Sequence, residues 1–134
     1  MADVVIPSIR GGVTERYLPG DRYTATVGAG QVATGARLVE AMTGDRVVRL
    51  AQANSLLCVG VAMHDAAVAE KVTVVTEGVW LLSASGAIAA GQRVKCGALG
   101  VAVPIAADGD PRLVVGWAMA DIVDLADGPV KLTL

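Results

Sequence analysis

The sequence predicts an all-β fold: a compact β-barrel or β-sandwich built from an internal duplication of about 56 residues and preceded by an extended N-terminal arm. Three observations carry this expectation. Apolar residues make up 54 % of the 134 positions, yet they are chiefly Ala and Val; Phe is absent and aromatics are 3 %. Sixteen glycines separate short apolar runs, which suits short strands joined by many turns better than long helices. Most informative, residues 30–65 match residues 86–121 without a gap at 13 of 36 positions. Gly30, Ala33, Gly35 and Arg37 fall on Gly86, Ala89, Gly91 and Arg93, and Gly60-Val-Ala-Met63 with Asp65 falls on Gly116-Trp-Ala-Met119 with Asp121.

The expected organisation is an arm over 1–22 and a single β domain over 23–134, made of two repeats at about 23–77 and 79–134. The arm has no counterpart in the repeat. Val4, Val5, Ile6 and Ile9 are apolar, Pro7 blocks a helix, and Gly11-Gly12 loosens the backbone. The arm is expected to join a sheet edge or lie on a partner, or else to be an ordinary edge strand of its own domain, and Tyr17 and Tyr23 stand where arm meets domain.

In the first repeat, Tyr23–Val27 reads as a strand, and Val32 and Leu38-Val39 flank a turn at Gly35. Arg46–Leu50 follows the turn Thr43-Gly44-Asp45. Leu56–Met63 is a near-continuous apolar run, expected to be a central strand covered on both faces. Asp65–Glu70 is either one capped helical turn or a loop, and Val72–Thr76 alternates like a strand. In the second repeat, strands are expected at Val79–Leu82, at Val94, over Val101–Val103, over Leu113–Met119 and over Val130–Leu134. Turns are expected at Asp108–Pro111 and at Asp127-Gly128. In each Gly-x-Val/Ile-x-x-Gly-x-Arg element, the β-branched residue (Val32, Ile88) is expected to plug the core. Arg37 and Arg93 are expected to pair with a carboxylate or cover apolar surface, with an intersubunit contact as the alternative.

No constellation for chemistry emerges. His64 is the only histidine, and its repeat partner is Ala120, so it is expected to be structural. Asp65 and Asp121 recur, which suits turn formation. Ser8, Ser55, Ser83 and Ser85 lack a nucleophile elbow. Asp108, Asp110, Asp121, Asp124 and Asp127 lack the spacing of a calcium loop. Val27-Gly-Ala-Gly-Gln lacks the lysine of a phosphate loop. Cys58 and Cys96 do not make a disulfide framework, and Cys58, replaced by Val114 in the repeat, reads as a small core residue. Trp80 and Trp117 read as core or interface anchors. No catalytic, cofactor-binding or metal-binding residue is nominated. A formal charge of −2 with scattered Lys and Arg argues against direct nucleic-acid binding, and no apolar run is long enough for a membrane helix.

The runs Gly60-Val-Ala-Met63, Val72-Thr-Val74, Glu77-Gly78-Val79, Ala84–Val94 and Val115-Gly116-Trp-Ala118 resemble the small capsid decoration (cement) proteins of tailed bacteriophages. The resemblance covers about residues 23–134. It implies a non-enzymatic virion protein, made in the bacterial host cytoplasm, that binds the outer capsid surface and bridges major capsid proteins, often as a homotrimer. The arm residues Val4, Val5, Ile6, Ile9, Arg10, Arg16 and Tyr17 would then meet the capsid or the next protomer. Alternatives are another virion component, such as a head fibre base or tail protein, and a biotinyl- or lipoyl-type carrier. The carrier would need one of Lys71, Lys95 or Lys131 on an exposed hairpin tip.

Overall fold

A computed structural model describes residues 22–29, 32–106 and 109–134. Residues 1–21, with the arm's seven contact residues, lie outside the described residues, as do Gly30, Gln31, Ala107 and Asp108.

The first half forms a closed barrel of five strands: β1 (Arg22–Val27), β2 (Arg37–Ala41), β3 (Val47–Leu50), β4 (Cys58–Ala62) and β5 (Lys71–Val75). The order around the barrel is β1-β3-β2-β4-β5, closed by antiparallel β5–β1 pairing; only β1–β3 is parallel. Alternation along each strand sends Ala25, Val27, Val39, Val48, Leu50, Ala62, Val72 and Val74 inward, where they form one apolar cluster. All are small or medium in size, so the interior fills without Phe.

The second half forms a five-stranded sheet from β6 (Val79–Ser83), β7 (Arg93–Cys96), β8 (Ala102–Pro104), β9 (Gly116–Ala118) and β10 (Asp127–Leu132), in the order β6-β10-β9-β7-β8. A parallel bridge Ala84↔Ala102 joins its two edges just beyond β6. The registers of the two halves correspond. Val61↔Val75 and Ala62↔Val74 in the first become Trp117↔Lys131 and Ala118↔Val130 in the second, each 56 residues on.

The two halves share one apolar cluster. Leu38, Ala51, Val61 and Val75, on the outer wall of the barrel, pack with Leu82, Val94, Cys96, Val115 and Val130 of the second sheet. Burying such side chains contributes about 1.5–3 kcal/mol each, so this junction is a main source of stability. Directional contacts reinforce it: Ser83 N–H donates to the Ala36 carbonyl at 2.9 Å, and Asn54 N–H to the Cys96 carbonyl at 3.0 Å. Arg22 stands 6.0 Å from the centre of the Trp80 ring.

Several local expectations need correction. Val32 does not plug the core: it is 53 % exposed, and its neighbour Ala33 is buried instead. The pairing explains the slip. Bridge Ala33↔Ala66 corresponds to Ile88↔Ile122, so the loop preceding β2 is offset by 55 residues where the partner loop is offset by 56. One residue of slip moves a side chain to the opposite face. For the same reason Ala36, and not Gly35, takes the left-handed conformation (φ 64°) that Gly91 takes in the second half (φ 81°). The apolar run 56–63 is strand only over Cys58–Ala62; Leu56, Leu57 and Met63 are exposed. Likewise only Gly116–Ala118 of the run 113–119 is strand, after a 3-10 turn over Pro111–Leu113 that Asp110 caps by accepting from Arg112 N–H at 2.9 Å. Asp127-Gly128 lies within β10; the turn comes earlier, closed by Ala126 N–H to the Val123 carbonyl at 3.0 Å. A Cβ at Gly128 would lie 2.3 Å from Ile122, so packing rather than turn geometry requires glycine there.

Candidate interaction surface

The recurrent aspartates act alike. Asp65 Oδ1 accepts from Gly35 N–H at 2.8 Å, and Asp121 Oδ1 accepts from Ala90 N–H at 2.8 Å. Each ties its loop to the turn before β2 or β7. The stretch 65–70 is a loop, not a helical turn. Its turn, closed by Glu70 N–H to the Ala67 carbonyl at 3.0 Å with Ala69 left-handed, is repeated at Val123–Ala126 with Leu125 left-handed.

His64 is held by the backbone. Thr73 N–H donates to Nε2 at 3.3 Å, so the ring proton sits on Nδ1, which donates to the Asp65 carbonyl at 3.0 Å. Among the described residues Arg37 pairs with no carboxylate: its Nη1 donates to the Leu99 carbonyl at 3.3 Å, and its buried Nε meets no acceptor there. Arg93 is exposed. Trp80 packs on the shared cluster, and its Nε1–H donates to the Glu77 carbonyl. Tyr23 packs against the barrel cluster. Glu40 is the one buried carboxylate among the described residues. Burial alone would raise its pKa, but hydrogen bonds from Ser55, Arg49 (2.7 Å from Nε) and Gln52 N–H, together with the Arg49 charge, hold it below the usual carboxylate range.

A cleft of about 370 Å³ opens where the halves meet, lined by Arg37, Ser83, Leu99, Val103, Leu125 and Asp127 among others. Ser83 Oγ donates to Asp127 Oδ1 at 3.1 Å across its floor. Two rim residues are unusual. Leu99 (φ 57°) and Leu125 (φ 64°) are left-handed without being glycine, and Leu125 is 82 % exposed, beside Val123 at 72 %. A left-handed non-glycine residue costs about 1–2 kcal/mol, and an exposed leucine returns no burial energy within the chain. The geometry therefore presents apolar side chains on the rim of the cleft. Nothing in the sequence patterning nominated Leu99 or Leu125; the only trace is that Leu125 takes the place of Ala69.

Lys71 opens β5, Lys95 lies within β7 and Lys131 within β10, so none stands on a hairpin tip, and the carrier alternative loses its attachment point. Among the described residues, no group of three His, Cys, Asp or Glu side chains could hold a metal ion.

A small closed barrel and a five-stranded sheet sharing an apolar wall, with polar groups committed to turns and strand ends, define a compact structural β module. The chain belongs to the phage cement protein family, which matches residues 18–132. It is a phage virion structural protein. Its fold is similar to that of the head fiber gp8.5 N base of bacteriophage phi29, with a TM-score of 0.68 and 22 % identity over 84 % of this chain and 92 % of that one. No curated protein matches the chain.

Proposed function

We propose that this protein binds the outer surface of a phage head and stabilises it, without catalysis, by bridging neighbouring major capsid proteins. The family match over residues 18–132 carries the reading. The protein is made in the bacterial host cytoplasm and acts on the virion as a homotrimer. Its body is a single β domain, 23–134, that arose by duplication of about 56 residues; the matched registers and the paired roles of Asp65 and Asp121 support that origin. One barrel is closed and the second sheet has its edges bridged, so neither readily adds a foreign strand. Contact then falls to side chains of the cleft rim and to the arm, whose Val4, Val5, Ile6, Ile9, Arg10, Arg16 and Tyr17 meet the capsid or the next protomer. A modest interface free energy per copy becomes large over many symmetric sites.

The test is deletion of residues 2–16. The truncated protein should keep its β circular dichroism and cooperative unfolding yet no longer bind heads. Normal decoration by the truncated protein would refute the role of the arm. A second reading, a base for a head fibre, is favoured by the fold likeness to the phi29 head fiber base. Electron microscopy separates the two: a fibre projecting from each bound copy supports the base, and a smooth bridging density supports the cement role.

A further inference from the structure

The structure brings together two cysteines that the sequence holds far apart. Cys58 opens β4 of the barrel, and Cys96 closes β7 of the second sheet. Cys58 packs against the shared cluster that contains Cys96, and the loop before β4 is pinned there by Asn54 N–H on the Cys96 carbonyl at 3.0 Å. Both thiols are free; the Cys58 thiol donates to the Gly60 carbonyl at 3.9 Å and lies close enough to Cys96 for each to perturb the other's ionisation. We propose that Cys58 and Cys96 are an oxidisable pair whose disulfide staples the two halves of the protein together.

Their environments assign the order of events. Interaction with Cys96 lowers the Cys58 pKa, while interaction with Cys58, burial and the nearby Glu40 carboxylate push Cys96 up. Cys58 is also the more accessible of the two; Cys96 is 1 % exposed. With a small disulfide such as glutathione disulfide as oxidant, the Cys58 thiolate attacks one sulfur, the reagent S–S bond breaks, and one glutathione thiolate leaves. Cys96 then loses its proton to solvent and attacks the Cys58 sulfur of the mixed disulfide, expelling the second glutathione thiolate. Two protein thiols are oxidised and one glutathione disulfide is reduced to two glutathiones. Closing to the roughly 2 Å of an S–S bond asks for side-chain adjustment at a junction already packed together.

The bond closes a loop on the order of 40 residues between separate sheets, so it should raise Tm on the order of 10 °C. Its timing in a virus, after particles leave the reducing host cytoplasm, rests on the proposed function; the chemistry does not. Binding of the fully reduced protein to heads tests that function separately.

The experiment uses the folded full-length protein, incubated with glutathione disulfide and measured by intact mass without reduction. The expected product has lost two hydrogens, and its tryptic map links peptide 50–71 to peptide 96–112. Its raised Tm returns to the starting value with dithiothreitol. Cys96→Ala should instead retain one glutathionyl group on Cys58, and Cys58→Ser should stay unmodified. An unmodified native chain, a lasting mixed disulfide on it, or a cross-link between chains would overturn the proposal.

Discussion

Gly100 and Gly91 offer a controlled measure of how much the junction between the halves contributes. Their backbones are nearly alike, φ 77° and 81°, so replacing either with Ala incurs the same left-handed penalty of about 1 kcal/mol. Their surroundings differ. A Cβ at Gly91 meets nothing within 4 Å, and the equivalent place in the barrel is already Ala36. A Cβ at Gly100 would lie 2.3 Å from the Leu38 carbonyl oxygen. That oxygen cannot step aside freely, because it accepts from Ala51 N–H at 3.0 Å and its residue belongs to the shared cluster. Relief requires the 3-10 turn Ala98–Gly100 to lift by about 1 Å from β2, which loosens packing at a further cost of about 1–3 kcal/mol. Gly100→Ala should therefore lose about 3 kcal/mol and Gly91→Ala about 1 kcal/mol, read from urea unfolding of the two variants and the parent protein. Equal losses would refute the reasoning, since they would mean that the close approach at Leu38 carries no energy.

Other expectations follow from single contacts. Asp65→Ala and Asp121→Ala should each cost about 1 kcal/mol in chemical denaturation, because each removes one charged acceptor from a loop N–H; a silent variant at one site alone would break the equivalence of the two loops. Glu40→Gln should cost about 2 kcal/mol at neutral pH by weakening its charge-assisted hydrogen bonds. Because the folded pKa of Glu40 is lowered, its stabilisation is complete above the unfolded value of about 4.3 and is lost as pH falls through the folded one. The gap between parent and variant should thus close in acid, and a gap independent of pH would contradict this sign. Leu125→Gly should leave stability unchanged or raise it by about 1 kcal/mol, since it removes left-handed strain from an exposed residue. The same variant should bind heads more weakly in a cosedimentation assay; unchanged binding would remove the cleft rim from the contact.

Much of the fold was legible in the chain. Composition and short β-branched runs set the all-β class, and most strands fall within a residue or two of their expected bounds, as at Arg22–Val27, Lys71–Val75 and Val79–Ser83. The echo marked Asp65 and Asp121 as turn residues, because a side chain that holds a local loop leaves the same trace wherever that loop recurs. The phage cement resemblance was readable in the same runs. Tertiary structure alone decided the rest. Whether Val32 or Ala33 faces the core depends on pairing with Ala66, because a period of two makes one residue of offset reverse a side chain. Gly128 looked like a turn because glycine permits turns, yet it is there to make room for Ile122. The meeting of Cys58 with Cys96 and the cleft between Leu99 and Leu125 arise from packing one half on the other. Such long-range proximity leaves no period or motif in the sequence, because nothing local in the chain specifies which outer wall a sheet will cover.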